Sequence, residues 1–127
     1  SELIGLIKRY RKKVLMHACG AVSDFIPDFI DMGVDALNPV QVSAVGMSPR
    51  RLKRDFGKDI AFWGGGISTQ GVLDIASPAK VRTEVRRNIA LFANGGGYVF
   101  TPVHNIQADV PAENIIAAYD AARVARF

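Results

Sequence analysis

Residues 14–41, VLMHACGAVSDFIPDFIDMGVDALNPVQ, contain one complete strand–helix–strand unit. Short apolar runs at 14–16 and 34–37 predict two strands. Between them, from about Ser23, apolar side chains recur at helical spacing and predict an amphipathic helix: Phe25, Ile26, Phe29 and Ile30. A strand, a helix and a second strand in this order are typical of a parallel β-α-β unit.

The boundaries of this unit carry residues that suit them. Pro27 falls in the first turn of the helix, where a missing N–H is tolerated. Gly33 stands where a left-handed C-terminal cap belongs. The first strand is predicted to end near His17, and Asn38-Pro39 interrupts the second.

The same alternation continues on both sides and predicts four consecutive βα units. A helix precedes the first strand, and the last helix contains Glu113 in its positively polarised first turn. Ser48-Pro49 and Ser77-Pro78 each place an N-cap residue before a first-turn proline. The remaining predicted elements are helices at 1–12, 49–57, 78–94 and 111–126, and strands at 60–63 and 98–101, with glycine triplets at 64–66 and 95–97.

Two α/β architectures fit this pattern: half of an eightfold βα-barrel, or an open doubly wound sheet with helices on both faces. Periodicity alone does not choose between them. In a half barrel, residues 1–127 form a single partial domain whose two strand edges must be covered. The predicted cover is a missing N-terminal half-barrel or another copy of the chain.

Composition indicates a soluble globular protein. The chain has 127 residues, 49% of them apolar, and a formal net charge of +4. Its basic residues are scattered over several helices without interleaved aromatic residues, so no nucleic-acid partner is expected. No apolar run is long enough to cross a membrane, and a single cysteine suits a reducing, cytoplasmic setting.

Candidate chemistry gathers after the predicted strands, because parallel sheets place their sites at the carboxyl ends of the strands. His17 and Cys19 follow the first strand, and His104 follows the fourth. Polar side chains that are candidates for substrate binding follow the second and third strands: Asn38, Gln41 and Gln70. For Asn38, local turn formation before the proline is an equally good explanation. The glycine triplet at 64–66 is expected to let a ligand approach the backbone closely.

The spacing of His17 and Cys19 puts both side chains on one side of an extended strand. An imidazole and a thiolate are ordinary zinc ligands, and His104 would complete a three-ligand site with one open position. Taken alone, the pair fits a buried free cysteine beside a hydrogen-bonded histidine better than it fits a zinc site, and it is the addition of His104 that changes the balance.

Three strings of the chain resemble the uroporphyrinogen decarboxylase superfamily, in order over nearly the whole length. They are the opening string quoted above, LKRDFGKDIAFWGGGISTQ at 52–70 and GGGYVFTPVHNIQADVPAENI at 95–115. The resemblance is to the C-terminal half of that superfamily's (β/α)8 TIM-type barrel, and it implies the barrel rather than the doubly wound sheet.

The resemblance implies two enzymatic chemistries. In the corrinoid-linked methyltransferases, zinc is held by an H-x-C motif and a later cysteine, so His17 and Cys19 match the first part and His104 stands at the later position. In the decarboxylase, which needs no cofactor, a catalytic histidine matches His104. Departures from the decarboxylase are Asn38, where that enzyme has aspartate, and Gly65-Gly66-Ile67-Ser68-Thr69 in place of its G-N-L-D-P string.

The leading hypothesis is therefore a section of an enzyme that transfers a methyl group from a corrinoid protein to a thiol, with zinc bound by His17, Cys19 and His104. The first alternative is decarboxylation of uroporphyrinogen, a tetrapyrrole of heme biosynthesis, to coproporphyrinogen. The second is a barrel that binds a tetrapyrrole or corrinoid without turnover.

Overall fold

A computed structural model describes residues 2–125 and contains the predicted alternation of strands and helices. Four short strands are interspersed with five α-helices, and a 3-10 turn at Ser23–Phe25 leads into the second helix. The elements are α1 Glu2–Arg9, β1 Leu15–His17, α2 Ile26–Met32, β2 Ala36–Asn38, α3 Pro49–Phe56, β3 Ala61–Trp63, α4 Pro78–Phe92, β4 Tyr98–Val99 and α5 Ala112–Arg123.

The strands form one parallel sheet in the order β1-β2-β3-β4. A doubly wound sheet reverses its strand order at a switch point, whereas a βα-barrel adds each new strand beside the previous one. The sequential order therefore identifies an arc of a TIM-barrel-like fold. This confirms the half-barrel prediction on a point that the hydrophobic pattern left open.

Strand register sorts the side chains into rows that face opposite sides of the sheet. The pairs Met16–Leu37, Leu37–Phe62 and Phe62–Tyr98 form the central row. Leu37 and Phe62 are fully buried in the core beneath the helices. Because side chains alternate along a strand, the rows before and after this one face away from the helices.

Two apolar clusters hold the helices on the sheet. The first lies between the central row of the sheet and side chains from all of the first four helices, among them Ile4, Ile26, Leu52 and Phe92. The second lies mainly between α4 and α5 and includes Val81, Val85 and Ala117.

Strand boundaries differ from prediction by one or two residues, and the cause is visible at Val14. Its N–H donates to the Asp35 carboxylate at 2.7 Å, and its carbonyl accepts from the N–H groups of Asp35 and Ala36. Val14 and Val34 therefore precede the regular strands that the apolar runs predicted. β4 is also shorter than predicted and ends at Val99.

The predicted helix caps are confirmed in part. Gly33 has φ +92° and ends α2 in the left-handed conformation. The Ser77 hydroxyl accepts the Lys80 N–H at 3.4 Å at the start of α4. Ser48 occupies the N-cap position of α3, but its side chain makes no capping hydrogen bond. The fixed φ of Pro49 in the first turn still favours the start of the helix. The predicted end of the last helix near Arg126 lies outside the described residues.

Helix lengths also bear on membrane insertion. The longest helix, α4, has 15 residues. Over residues 2–125, no helix has both the length and the apolar character needed to span a bilayer.

Candidate functional site

The candidate site begins at the last row of the sheet. His17 pairs with Asn38, and Trp63 pairs with Val99. This row follows the buried central row by one residue, so its side chains face away from the helices. Trp63 keeps 39% and Val99 40% of its surface exposed. The row therefore opens to ligands at the strand ends, where the sequence predicted the site.

A chain of hydrogen bonds crosses this row and sets the state of His17. Asn38 Nδ2 donates to the Trp63 carbonyl oxygen at 3.1 Å, and Asn38 Oδ1 lies 2.8 Å from His17 Nδ1. The Trp63 carbonyl is only an acceptor, so the amide nitrogen must face it and the amide oxygen must face His17. His17 Nδ1 therefore carries the proton, and a neutral imidazole presents the lone pair of Nε2.

That lone pair faces Cys19. The Cys19 sulfur lies 3.6 Å from His17 Nε2, and both side chains are exposed. The prediction that the i, i+2 spacing brings the two side chains together is confirmed. The exposure of Cys19 argues against the alternative of a buried cysteine.

Gln41 braces the loop that carries the thiol. Its Oε1 accepts the Gly20 N–H at 2.9 Å, one residue after Cys19. Gly20 has φ +92°, a conformation that L side chains rarely adopt. The turn after β1 is thus defined by a glycine and by a side chain from the loop after β2.

Two neighbouring cavities contain all six residues that the sequence selected. The first, of about 420 Å³, is lined by His17, Asn38 and His104 together with Trp63 and Tyr119. The second, of about 320 Å³, is lined by Cys19, Gln41, Gln70 and His104 with several other polar residues. Both cavities share Val103, His104 and Asn105, so the loop after β4 forms the wall between them.

The residues fit a zinc ion in part. With Zn–S near 2.3 Å and Zn–N near 2.0–2.1 Å, two ligands of a tetrahedral site lie about 3.5 Å apart, close to the 3.6 Å between Cys19 Sγ and His17 Nε2. Ligand histidines usually donate their other ring N–H to a second residue, as His17 does to Asn38. Within residues 2–125, however, no group of three or more His, Cys, Asp or Glu side chains is placed to hold a metal. The role of His104 as third ligand stays a prediction.

The opposite ends of β1 and β2 are held by Asp35. Its carboxylate accepts from the Val14 N–H at 2.7 Å, from Lys13 at 3.0 Å and from Lys8. Burial raises the pKa of Asp35, but these hydrogen bonds outweigh it and hold the pKa far below its usual range. The charged carboxylate therefore stabilises the pairing of the two strands that carry His17 and Asn38.

The glycine triplet at 64–66 has a different role from the one predicted. All three residues are buried, and a Cβ at Gly66 would lie 2.3 Å from the Phe100 ring. A Cβ at Gly64 would lie 3.0 Å from the Val40 backbone nitrogen. The close approach is made by the protein's own chain, which corrects the expectation of a ligand at this backbone.

Sequence reasoning missed two aromatic residues of the first cavity. Trp63 ends β3 and supplies the carbonyl that orients Asn38. Its position at the end of a predicted strand could have marked it as a residue of the site. Tyr119 comes from α5, where it packs edge-on against Phe100 at 5.7 Å between ring centroids. Nothing in the local pattern connects that helix position with the strand ends.

Comparison with known proteins places these features in a family context. The sequence model of the uroporphyrinogen decarboxylase (URO-D) family matches residues 1–124. The chain is 33% identical over 95 residues to a uroporphyrinogen decarboxylase of Hahella chejuensis, which covers 72% of this chain and 24% of that protein. It is 46% identical over 52 residues to a uroporphyrinogen decarboxylase of Actinobacillus succinogenes, which covers 38% of this chain and 15% of that protein.

A solved structure supports the fold assignment. A methyltransferase from Methanosarcina mazei superposes with a TM-score of 0.74 at 21% identity, covering 95% of this chain and 34% of that one. At this identity the likeness concerns the fold alone. The chain thus spans about a third of the structural neighbour and less than a quarter of these curated relatives.

Proposed function

The chain belongs to the uroporphyrinogen decarboxylase (URO-D) family, and we propose that, as a section of an enzyme of that family, it serves zinc-dependent methyl transfer from a corrinoid protein to a thiol. The observation that carries the proposal is the His17–Cys19 pair. Its imidazole is locked with the Nε2 lone pair toward the Cys19 sulfur at 3.6 Å. Such a pair has the spacing that two zinc ligands need, and the Asn38 hydrogen bond to Nδ1 leaves Nε2 as the ring nitrogen that faces the metal.

In this proposal each residue has a defined task. His17 Nε2 and the Cys19 thiolate hold the zinc ion, and His104 supplies the third donor from the wall between the cavities. Asn38 keeps the proton on His17 Nδ1. A bound zinc ion would act as a Lewis acid that lowers the pKa of a substrate thiol.

The two cavities would receive the reactants. The first offers the aromatic and apolar walls of Trp63, Pro39 and Tyr119 beside His17. The substrate thiolate sulfur would form a bond to the methyl carbon of a methylated corrinoid carried on a separate protein. The cobalt–carbon bond would break with its electron pair remaining on the corrinoid, and the thiol proton would be released to solvent. Residues outside this chain, from another half-barrel or a second copy, would complete the barrel around the site.

Decarboxylation of uroporphyrinogen is the second candidate. It is favoured by the curated relatives, which are decarboxylases at 31–46% identity. It also needs no three-donor cluster, and none is assembled among residues 2–125. In that case His104 would contact the tetrapyrrole in the first cavity.

Zinc content separates the two candidates. Elemental analysis of the purified, folded chain is expected to find about one zinc ion per chain, which disappears in Cys19→Ser and His17→Ala. His104→Ala is expected to weaken zinc retention during dialysis. Asp28→Asn removes an exposed carboxylate on α2 that lines neither cavity, and it should retain the metal.

Two results would contradict the zinc proposal. Folded chain without zinc, in buffer supplemented with the ion, would remove the basis for the methyltransferase. The decarboxylase or a binding-only barrel would then be the better proposal. Zinc that persists in Cys19→Ser would show that the metal is held elsewhere.

A further inference from the structure

Residues 50–58 hold the excess positive charge of the chain. They contain five basic side chains and one acidic side chain, a formal charge of +4, which equals the net charge of all 127 residues. The rest of the chain contains eleven basic and eleven acidic side chains, so its charges balance. Because the excess is concentrated in one short segment, it produces a local positive potential.

Four of these basic side chains line one cleft between α3 and α4. The cleft has a volume of about 590 Å³, and its wall on the side of α3 contains Arg50, Lys53, Arg54 and Lys58. Uncharged residues of α4 and of the loop after it form the opposite wall. Among the described residues of the lining there is no Asp or Glu. A concave site of this volume suits a small ligand.

This basic cleft is separate from the candidate functional site. Its residues Gly57 and Lys58 precede β3, and Asn94 and Gly95 precede β4. The cleft therefore lies toward the amino ends of the strands, whereas the candidate site lies at their carboxyl ends. None of the proposed zinc ligands lines the cleft, so a ligand bound there does not depend on the metal.

The protein compensates two of the four cations. Arg54 donates to the Asp55 carboxylate through Nε at 2.6 Å and through Nη2 at 3.1 Å. Lys53 Nζ donates to the Gly96 carbonyl oxygen at 2.5 Å. Arg50 and Lys58 make no ion pair among residues 2–125. Two cations of the cleft are thus left without a counter-charge from the described chain.

Arg50 occupies a position that the helix itself disfavours. It lies in the first turn of α3, which contains no acidic residue, and the positive end of the helix dipole repels a cation there. Arg50 is also three residues from Lys53 and four from Arg54, spacings at which like charges on a helix destabilise it. An anion in the cleft would reverse both effects.

We propose that the basic cleft binds a small anion that carries two or more linked phosphoryl groups. A phosphoryl group has three acceptor oxygens that point in different directions, so it can accept from more than one cation, whereas a carboxylate has two in one plane. Arginine matches phosphate oxygens with a planar set of donors. Arg50 and Arg54 lie one turn apart, about 6 Å along α3, so linked phosphoryl groups can contact both.

Titration calorimetry with pyrophosphate tests the proposal on the whole chain in zinc-free buffer at pH 8. Citrate is the control anion, because it has a similar charge at this pH but carries carboxylates. Pyrophosphate is expected to bind one-to-one with a dissociation constant below about 1 mM, at least about threefold tighter than citrate. No measurable binding of pyrophosphate, or citrate binding at least as tight, would overturn the proposal.

Two variants that lower the net charge equally locate the site. Arg50→Gln removes a cation from the cleft and should weaken pyrophosphate binding by about tenfold, the effect of one hydrogen bond to a charged group. Lys12→Gln removes an exposed cation between α1 and β1 that does not line the cleft, and it should change the affinity less than about twofold. Equal losses in the two variants would show a general attraction of anions and would overturn the site.

Thermal unfolding without ligand tests the role assigned to Arg50. Arg50→Gln removes a cation from the positive end of α3, so its midpoint should equal or exceed that of the wild type. A lower midpoint would show that Arg50 stabilises the fold and would contradict the role proposed for it. Pyrophosphate should raise the midpoint of the wild type and of Lys12→Gln more than that of Arg50→Gln.

A last comparison identifies the source of the phosphoryl groups. Tripolyphosphate and ATP share a chain of three phosphoryl groups, and both should bind competitively with pyrophosphate. Tighter binding of ATP would assign the cleft to a nucleotide, and tighter binding of tripolyphosphate to a free polyphosphate. Failure of both to displace pyrophosphate would overturn the proposed ligand class.

Discussion

Asn38→Leu should weaken zinc binding without unfolding the chain. Asn38 makes two hydrogen bonds, at 2.8 Å to His17 Nδ1 and at 3.1 Å to the Trp63 carbonyl, and leucine of similar size makes neither. His17 is then free to place its proton on Nε2 and to rotate away from Cys19. Loss of a hydrogen-bond partner of a ligand histidine typically reduces metal affinity about 10- to 100-fold, or about 1.4–2.7 kcal/mol.

Competition with a chromophoric zinc chelator at pH 7 measures this loss directly. Asn38→Asp is the informative intermediate, because it keeps an acceptor for His17 Nδ1 but has no donor for the Trp63 carbonyl. Its zinc affinity should fall between those of the wild type and Asn38→Leu. Asn105→Leu is the matched control: it removes an exposed amide of the same cavity whose side chain is not bonded to His17.

One outcome would contradict this role of Asn38. If folded Asn38→Leu binds zinc as tightly as the wild type while Cys19→Ser does not bind it, Asn38 does not set the state of His17. Thermal unfolding of each variant distinguishes a loss of ligand geometry from a loss of fold.

Three stability predictions follow from residues outside the site. Asp35→Asn should lower the free energy of unfolding by about 1–2 kcal/mol in urea at pH 7. Because the folded-state pKa of Asp35 is depressed, this stabilisation is present above about pH 4 and is lost as the pH falls. An equal difference between wild type and variant at pH 2.5 would contradict this account. Tyr98→Phe removes a buried hydroxyl that has no hydrogen-bond partner among residues 2–125, and it keeps the ring stacked on Phe92 at 5.0 Å between centroids. The urea midpoint of this variant should stay unchanged or rise. A loss of stability above about 1 kcal/mol would show that the hydroxyl is hydrogen-bonded. Gly66→Ala places a Cβ 2.3 Å from the Phe100 ring, and the thermal midpoint should fall by the equivalent of about 1–3 kcal/mol; an unchanged midpoint would mean that Phe100 moves aside freely.

The elements of the fold could be read from the sequence because they depend on local patterns. The apolar runs and the helical spacing of residues such as Phe29 and Val85 identified every strand and helix. Gly33 could be predicted as a helix cap because glycine adopts the left-handed conformation more readily than other residues, and the structure has it in that conformation. The boundaries were less accurate, since the N–H of Val14 bonds to the distant side chain of Asp35 instead of to a strand.

The candidate site could likewise be predicted only where it depends on neighbouring residues of the chain. His17 and Cys19 are two residues apart, so extended-chain geometry predicts that their side chains lie on one side. The loop that contains Cys19 is held in addition by the hydrogen bond from the Gly20 N–H to Gln41. The buried triplet around Gly66 was misread, because its neighbour Phe100 comes from another strand end. Trp63 and Tyr119 were missed for a related reason, as their positions at the cavity depend on packing.

The four βα units, the family and the pair His17–Cys19 could be predicted without the fold, because they depend on residues close in the chain or on a series of motifs along it. The sequential strand order, the register that sets Asn38 between His17 and Trp63, and the position of the loop after β4 in the walls of both cavities came from the folded structure. Apolar burial is non-directional, so an apolar pattern is compatible with several strand pairings. Which side chains then meet across strands about 20 residues apart depends on how the whole sheet and its helices pack.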